Sequence, residues 1–188
     1  MGPAGTDEWL QIGLAAMPGS NNVLYYEVAR PHVAPRYVEV RKRIAISETH
    51  RVAVIETRRR ANWWRVWVDG VPVSPAIFLP SSHDRWPPIA TSESWNGGVR
   101  ACNAFHYRFS NVTQAHADGG DWKPLTQSIS FHDAGYRFVQ TSRIPSSFLA
   151  TSLDSSAPLV ASVPNRVRRA SARLAALQTV QFTRSRGK

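Results

Sequence analysis

Short runs of Val, Ile, Tyr, Trp and Phe, broken by clusters of Pro, Gly, Asn and Asp, fill the chain from Trp9 to about Arg137. Runs of that length, bounded by turn residues, predict β-strands. The predicted strands cover 9–15, 23–29, 36–40, 50–57, 63–69, 77–79, 89–94 and 103–112, with one more near 135–140. Nothing in this range repeats with sustained helical period and caps. The clearest alternation is at 63–69: Trp63, Arg65 and Trp67 point to one side, Trp64, Val66 and Val68 to the other. Asp69-Gly70 then provides the residues of a tight hairpin turn, and 71–73 reads as the return strand. Many short strands with tight turns predict an all-β, two-sheet antiparallel sandwich.

The pattern changes after Ile144, where Ser, Ala, Pro and Arg take over. This divides the chain into a sandwich domain over 1–140 and a basic, largely disordered tail over 141–188. Within the tail, the spacing of Val167, Ala170, Leu174 and Leu177 predicts a short helix near 165–178, with Asn165 as its cap. Residues 115–135 read as a long loop.

Composition narrows the function classes. Of 188 residues 43% are hydrophobic and 10% aromatic, with seven Trp, too rich for a disordered chain. No apolar run approaches the ~18–20 residues of a membrane span. The single cysteine, Cys102, allows no intrachain disulfide and no cysteine-based zinc cluster. The first residues lack the basic start and apolar stretch of a secretory leader. The net charge of +10 suggests a nucleic-acid partner until it is divided along the chain. Residues 1–140 carry 15 Lys and Arg against 12 Asp and Glu, whereas 141–188 carry 8 against 1. The tail holds most of the excess, and it lacks the interleaved aromatics of base stacking. It is expected to touch anionic surfaces weakly.

Three segments carry a resemblance. They are Trp9-Leu10-Gln11-Ile12-Gly13, then Val23-Leu24-Tyr25-Tyr26-Glu27, then Thr91-Ser92-Glu93-Ser94-Trp95 with Phe105–Val112 behind it. In order and separation they resemble the eqolisins, the glutamic peptidases, which fold as a concanavalin-A-like jelly-roll sandwich. That family has a Leu-Gln-x-Gly strand with the catalytic Gln, a Tyr-Glu strand lining the cleft, and an Ala-Glu-Trp stretch with the catalytic Glu. The resemblance therefore implies Gln11 and Glu93 as catalytic residues, and Trp9, Tyr26, Glu27 and Trp95 as substrate-binding ones. Several strands precede the Gln strand in that family, whereas here it opens almost at the start. Ser92 replaces the family's Ala, and Ser94 is inserted before Trp95, which reverses the face taken by Trp95 and the residues after it. A broader set of bacterial sandwich domains shares the Trp-Arg-Val-Trp-Val-Asp-Gly hairpin at 64–70 and Glu-Ser-Trp-Asn-Gly-Gly at 93–98.

The implied activity is cleavage of a polypeptide at acid pH, or the fold of an inactive relative. Glu93 would take a proton from water and return it to the leaving amine. Gln11 would hold the water through its carbonyl and donate its amide hydrogen to the oxyanion. Pleating puts Trp9, Gln11 and Gly13 on one face of their strand, and Tyr25 and Glu27 on one face of theirs. Two other readings stand beside this one. Glu27 and Glu93 form an acid–base pair for glycoside hydrolysis only if their separation suits it. The tryptophans, Trp63 and Trp67 above all, suit a non-catalytic module that binds a glycan or peptide.

No cofactor or metal is expected. The six histidines never fall at a metal spacing, and Asp84, Asp118, Asp121 and Asp133 form no calcium loop. Ser81-Ser82-His83-Asp84 has triad residue types, but neighbours in sequence cannot reach triad geometry. Arg58-Arg59-Arg60 reads as a solvated hairpin loop.

Overall fold

The computed structural model describes residues 1–3, 7–16, 21–92, 106–115, 121–125, 136–141 and 146–152, together with the backbone of 178–183. Among these residues the fold is all-β, and every strand pair is antiparallel. The strands are β1 (Trp9–Ala15), β2 (Val23–Arg30), β3 (Val33–Lys42), β4 (Thr49–Glu56), β5 (Trp63–Val68), β6 (Val71–Pro72) and β7 (Ile77–Phe78). After them come β8 (His106–Ser110), β9 (Thr113–Gln114), β10 (Lys123–Pro124), β11 (Tyr136–Gln140), β12 (Phe148–Ser152) and β13 (Gln178–Thr183).

Three sheets result. A three-stranded sheet has the order β1-β2-β3. An eight-stranded sheet runs β11-β12-β8-β13-β4-β5-β6, with β7 also on β5. A short ladder joins β9 to β10. The two larger sheets face each other in a sandwich-like arrangement because both alternate. Leu24, Tyr26 and Val28 of β2, with Leu10 of β1, meet Val52, Val66 and Val68 of β4 and β5 in two apolar clusters. Phe109 and Phe148 stack at 4.5 Å at the β8–β12 end. β3 is an edge strand, and its Pro35 and alternating charges suit an unpaired border.

Asp69 and Gly70 both have positive φ, 49° and 85°, so the β5–β6 hairpin closes with the mirror-image turn that matches strand twist. Three expectations are corrected. Residues 89–92 form no strand, because Pro87 and Pro88 remove two backbone donors just ahead of them. β7 stops at Phe78, since Leu79 N–H turns to the Asn62 carbonyl and Ser81 then takes φ 60°. The long loop contains β10, held by β9. Beyond residue 140, β12 pairs with both β11 and β8, and β13 lies between β8 and β4. The helix expected near 165–178 lies outside the described residues, apart from Gln178, which opens β13.

The inward row of β4 is His50, Val52, Val54 and Glu56, an apolar pair with a buried ionisable group at each end. His50, 3% exposed, has Nδ1 2.8 Å from Asp69 Oδ2. Its Nε2 lies 3.0 Å from Glu48 Oε1. Burial alone would raise the Asp69 carboxyl, but the Arg51 amide and His50 outweigh it and hold it below its ordinary value. The Ala45 amide, helped by Arg41 and His50, likewise lowers Glu48. His106 is lowered from 6.5 by burial first and by Arg108 second.

All three shifts act in one direction. An unfolded His106 takes up a proton below pH 6.5 that the folded one resists, and unfolded carboxylates do so below about 4. Stability is therefore expected to fall as pH drops from 7.5 to 5.5, and to fall again towards pH 3. Urea midpoints at the three pH values measure this. Burial also lowers the Met1 ammonium, to about 6, which adds to the same first step. Equal midpoints at 7.5 and 5.5 would remove both contributions, and His106→Gln should shrink the first step and leave the second unchanged.

Candidate functional site

The outer face of the three-stranded sheet, away from the apolar layer, carries a compact polar and aromatic grid. Register sets it. Gln11 of β1 stands opposite Glu27 of β2, which stands opposite Tyr37 of β3. In the next row Gly13 is opposite Tyr25, and Tyr25 is opposite Glu39. The two rows share one unbroken β2–β3 register, and the pairing shifts on either side of them, between Val28 and Arg30 and between Leu24 and Tyr25.

Glu27 is the hub. Its Oε2 accepts from Gln11 Nε2 at 2.8 Å and from Trp9 Nε1 at 3.3 Å. Gln11 Nε2 also donates to the Tyr25 hydroxyl at 3.2 Å. Both amide hydrogens of Gln11 are thereby spent, which settles the orientation of its amide group and turns Oε1 away from the carboxylate. Both donors to Glu27 are neutral, and no cation pairs with it among the described residues.

Tyr25 bends over Gly13, where a Cβ would sit 3.2 Å from the ring and its hydroxyl. Glycine at 13 thus lets the ring lie flat enough to reach Gln11. The other side of Tyr25 stacks on Tyr37 at 4.6 Å. Burial first, then the charges of Glu39 and Glu27, raises the Tyr37 phenol above its ordinary value and keeps it neutral. Lys42 holds Glu39 at 2.7 Å. The arrangement amounts to an amide oriented by a carboxylate, with aromatic walls on two sides. It can hold a water or a carbonyl against Gln11 and stack a planar group on the tyrosines.

Three of the six expected site residues, Trp9, Gln11 and Glu27, come together here. Tyr26 does not. It is 3% exposed and packs with Leu10, Val28 and Val66, because adjacent strand residues point to opposite faces. Tyr25 takes the place on the outer face. Glu93 and Trp95 lie outside the described residues. Tyr37 and Glu39 join the face from β3, and only the paired register reveals them.

Other groups weighed in the sequence have structural partners. Ser82, 1% exposed, donates to the Leu79 carbonyl and accepts from Trp64 Nε1 at 2.7 Å, so its hydroxyl is not aimed at His83. His83 Nδ1 lies 2.8 Å from Glu56. Trp63 packs on Phe78 with the Arg60 guanidinium 4.3 Å above its ring. Among the described residues no His, Cys, Asp or Glu cluster could hold a metal, and no helix is long and apolar enough to cross a membrane. No family model, no curated protein and no solved structure matches the chain.

Proposed function

We propose that the chain is a glutamic-peptidase-like hydrolase on a concanavalin-A-like jelly roll, cleaving polypeptides at acid pH with Gln11 and Glu93. The observation that carries this reading is the Gln11 amide, held by the Glu27 carboxylate at 2.8 Å on an open sheet face. In this scheme Glu93 draws a proton from water as the oxygen attacks the peptide carbonyl, then delivers it to the departing amine. Gln11 Oε1 holds the attacking water. The N–H now on Tyr25, at the longer 3.2 Å, turns to the oxyanion. Glu27 is a positioning residue that keeps the amide in that orientation, and Trp9 supports Glu27.

The test is digestion of acid-denatured haemoglobin by the full chain at pH 3 to 5. Gln11→Ala and Glu93→Gln are each expected to lower the rate about 100-fold or more, the size of effect typical of a lost oxyanion donor. Glu27→Gln should lower kcat more than it raises KM. Wild-type cleavage no faster than that of the two variants would end the peptidase reading. The Tyr25–Tyr37 stack beside Trp9 favours the second reading, a non-catalytic module that binds a glycan or peptide on the same face. Loss of glycan or peptide binding in Tyr37→Ala, with no cleavage by any variant, would establish it instead.

A further inference from the structure

The β4–β5 loop carries Arg58, Arg59 and Arg60, all exposed. Its backbone closes on itself, with the Arg60 N–H on the Thr57 carbonyl at 3.0 Å and the Trp63 N–H on the Arg60 carbonyl at 3.1 Å. Glu56 and His83 brace it further through Asn62. Arg30, at the end of β2, joins the loop from one side, where its Nη2 donates to the Phe78 carbonyl at 3.1 Å. Among the described residues none of these four arginines pairs with a carboxylate. The nearby carboxylates face His83 instead: Glu56 is buried against it, and Asp84 lies 3.4 Å from its Nε2.

Aromatic surface is set among this charge. The Arg60 guanidinium sits 4.3 Å above the Trp63 ring, and Trp63 packs on Phe78 at 5.3 Å. Register places this pair, because β7 sets Phe78 opposite Trp63 on the face of β5 that points away from Val66 and the apolar layer. Phe78 stays 45% exposed there. An occupant has to answer both features. Uncompensated arginines call for a run of anions, and an open ring beside a guanidinium plane calls for flat groups between them. A sulfated glycan brings charge without flat rings, and a duplex keeps its bases stacked inside. A single strand brings phosphates and unstacked bases together.

We propose that the β4–β5 loop, with Arg30 and Phe78, is a binding surface for single-stranded nucleic acid, with phosphates on Arg30, Arg58 and Arg59 and bases stacked on Phe78 and the Arg60–Trp63 pair. The surface uses no residue of the Gln11 and Glu27 face. It does not depend on the peptidase reading.

The experiment is fluorescence anisotropy of a labelled twelve-residue oligothymidylate, titrated with the full chain between about 50 and 200 mM salt. The wild type is expected to bind saturably, with affinity that falls steeply as salt rises. Arg58→Gln combined with Arg59→Gln should reduce the slope of log affinity against log salt by about 1.4, the value for two phosphate contacts on a single strand. Phe78→Ala should weaken binding about tenfold at each salt concentration and leave the slope unchanged, since stacking releases no counterion. Arg168→Gln combined with Arg169→Gln, in the basic tail, should change affinity less than about twofold, which separates the loop from diffuse attraction to the tail. Equal urea midpoints check that the variants are folded. Absence of salt-dependent binding by the wild type would overturn the proposal. Equal affinity for the matched duplex or for heparin would overturn it too, as would unchanged affinity in a folded Phe78→Ala or a loss in the tail variant as large as in the loop variant.

Discussion

Leu10→Ala is expected to lower the free energy of unfolding by about 4 kcal/mol, towards the upper part of the range for buried leucines. The side chain is fully buried and packs with Tyr26, Val28, Val66, Ile77 and Leu79. Its neighbours cannot close over the gap, because a cavity already lies beside it and the deletion enlarges that space. β1 has few other anchors. It pairs with β2 on one side, and on the other Leu10 exchanges backbone hydrogen bonds with Met1 at 2.9 and 3.0 Å. Urea unfolding measures the effect, with Val71→Ala as the control, since Val71 is 60% exposed and should change stability by less than about 0.5 kcal/mol. A loss below about 1.5 kcal/mol for Leu10→Ala would mean that β1 does not dock against the larger sheet as described.

The same strand shows how far sequence alone reached. β1 was legible to its last residue because apolar and polar positions alternate from Trp9 to Ala15. That alternation also separated the buried Leu10 from the outward Gln11. Asp69-Gly70 announced its turn because two consecutive positive φ values suit few residue pairs. What escaped was non-local. β9 and β10 have two residues each, too short to show a period. β13 pairs between β8 and β4, more than sixty residues upstream, and no local pattern encodes such a partner.

The site divides along the same line. Trp9, Gln11 and Glu27 were legible through motif and pleat. Tyr26 was assigned to the cleft beside Glu27 by motif adjacency, although the pleat sends it into the core. The contribution of Tyr37 and Glu39 depends on a register that only the folded pairing specifies. The cavity beside Leu10 is also a property of packing, since its walls come from seven separate stretches of chain.

Loss of His83 is expected to cost about 3 kcal/mol, the lower end for leaving a buried carboxyl group without its partner, because His83 itself keeps some exposure. The Glu56 side chain is 4% exposed against 35% for His83. Its Oε2 faces His83 Nδ1 at 2.8 Å, and its Oε1 accepts the Asn62 N–H. Asn62 holds φ 66° and returns a bond from its side chain, accepting the His83 N–H at 2.9 Å. The carboxylate thus ties the β4–β5 loop to the segment after β7, and closes the apolar layer at the end opposite His50. His83→Leu strands a buried carboxylate with one donor. Glu56→Leu strands the Asn62 N–H but leaves His83 access to water, so about 2 kcal/mol is expected there. The double variant buries no charge, and should cost about 3 kcal/mol, well short of the two single losses combined. A double-mutant cycle by urea unfolding reads this coupling directly. Additivity within about 0.5 kcal/mol would show that the pair does not act as a unit, and that the loop is held by its backbone bonds alone.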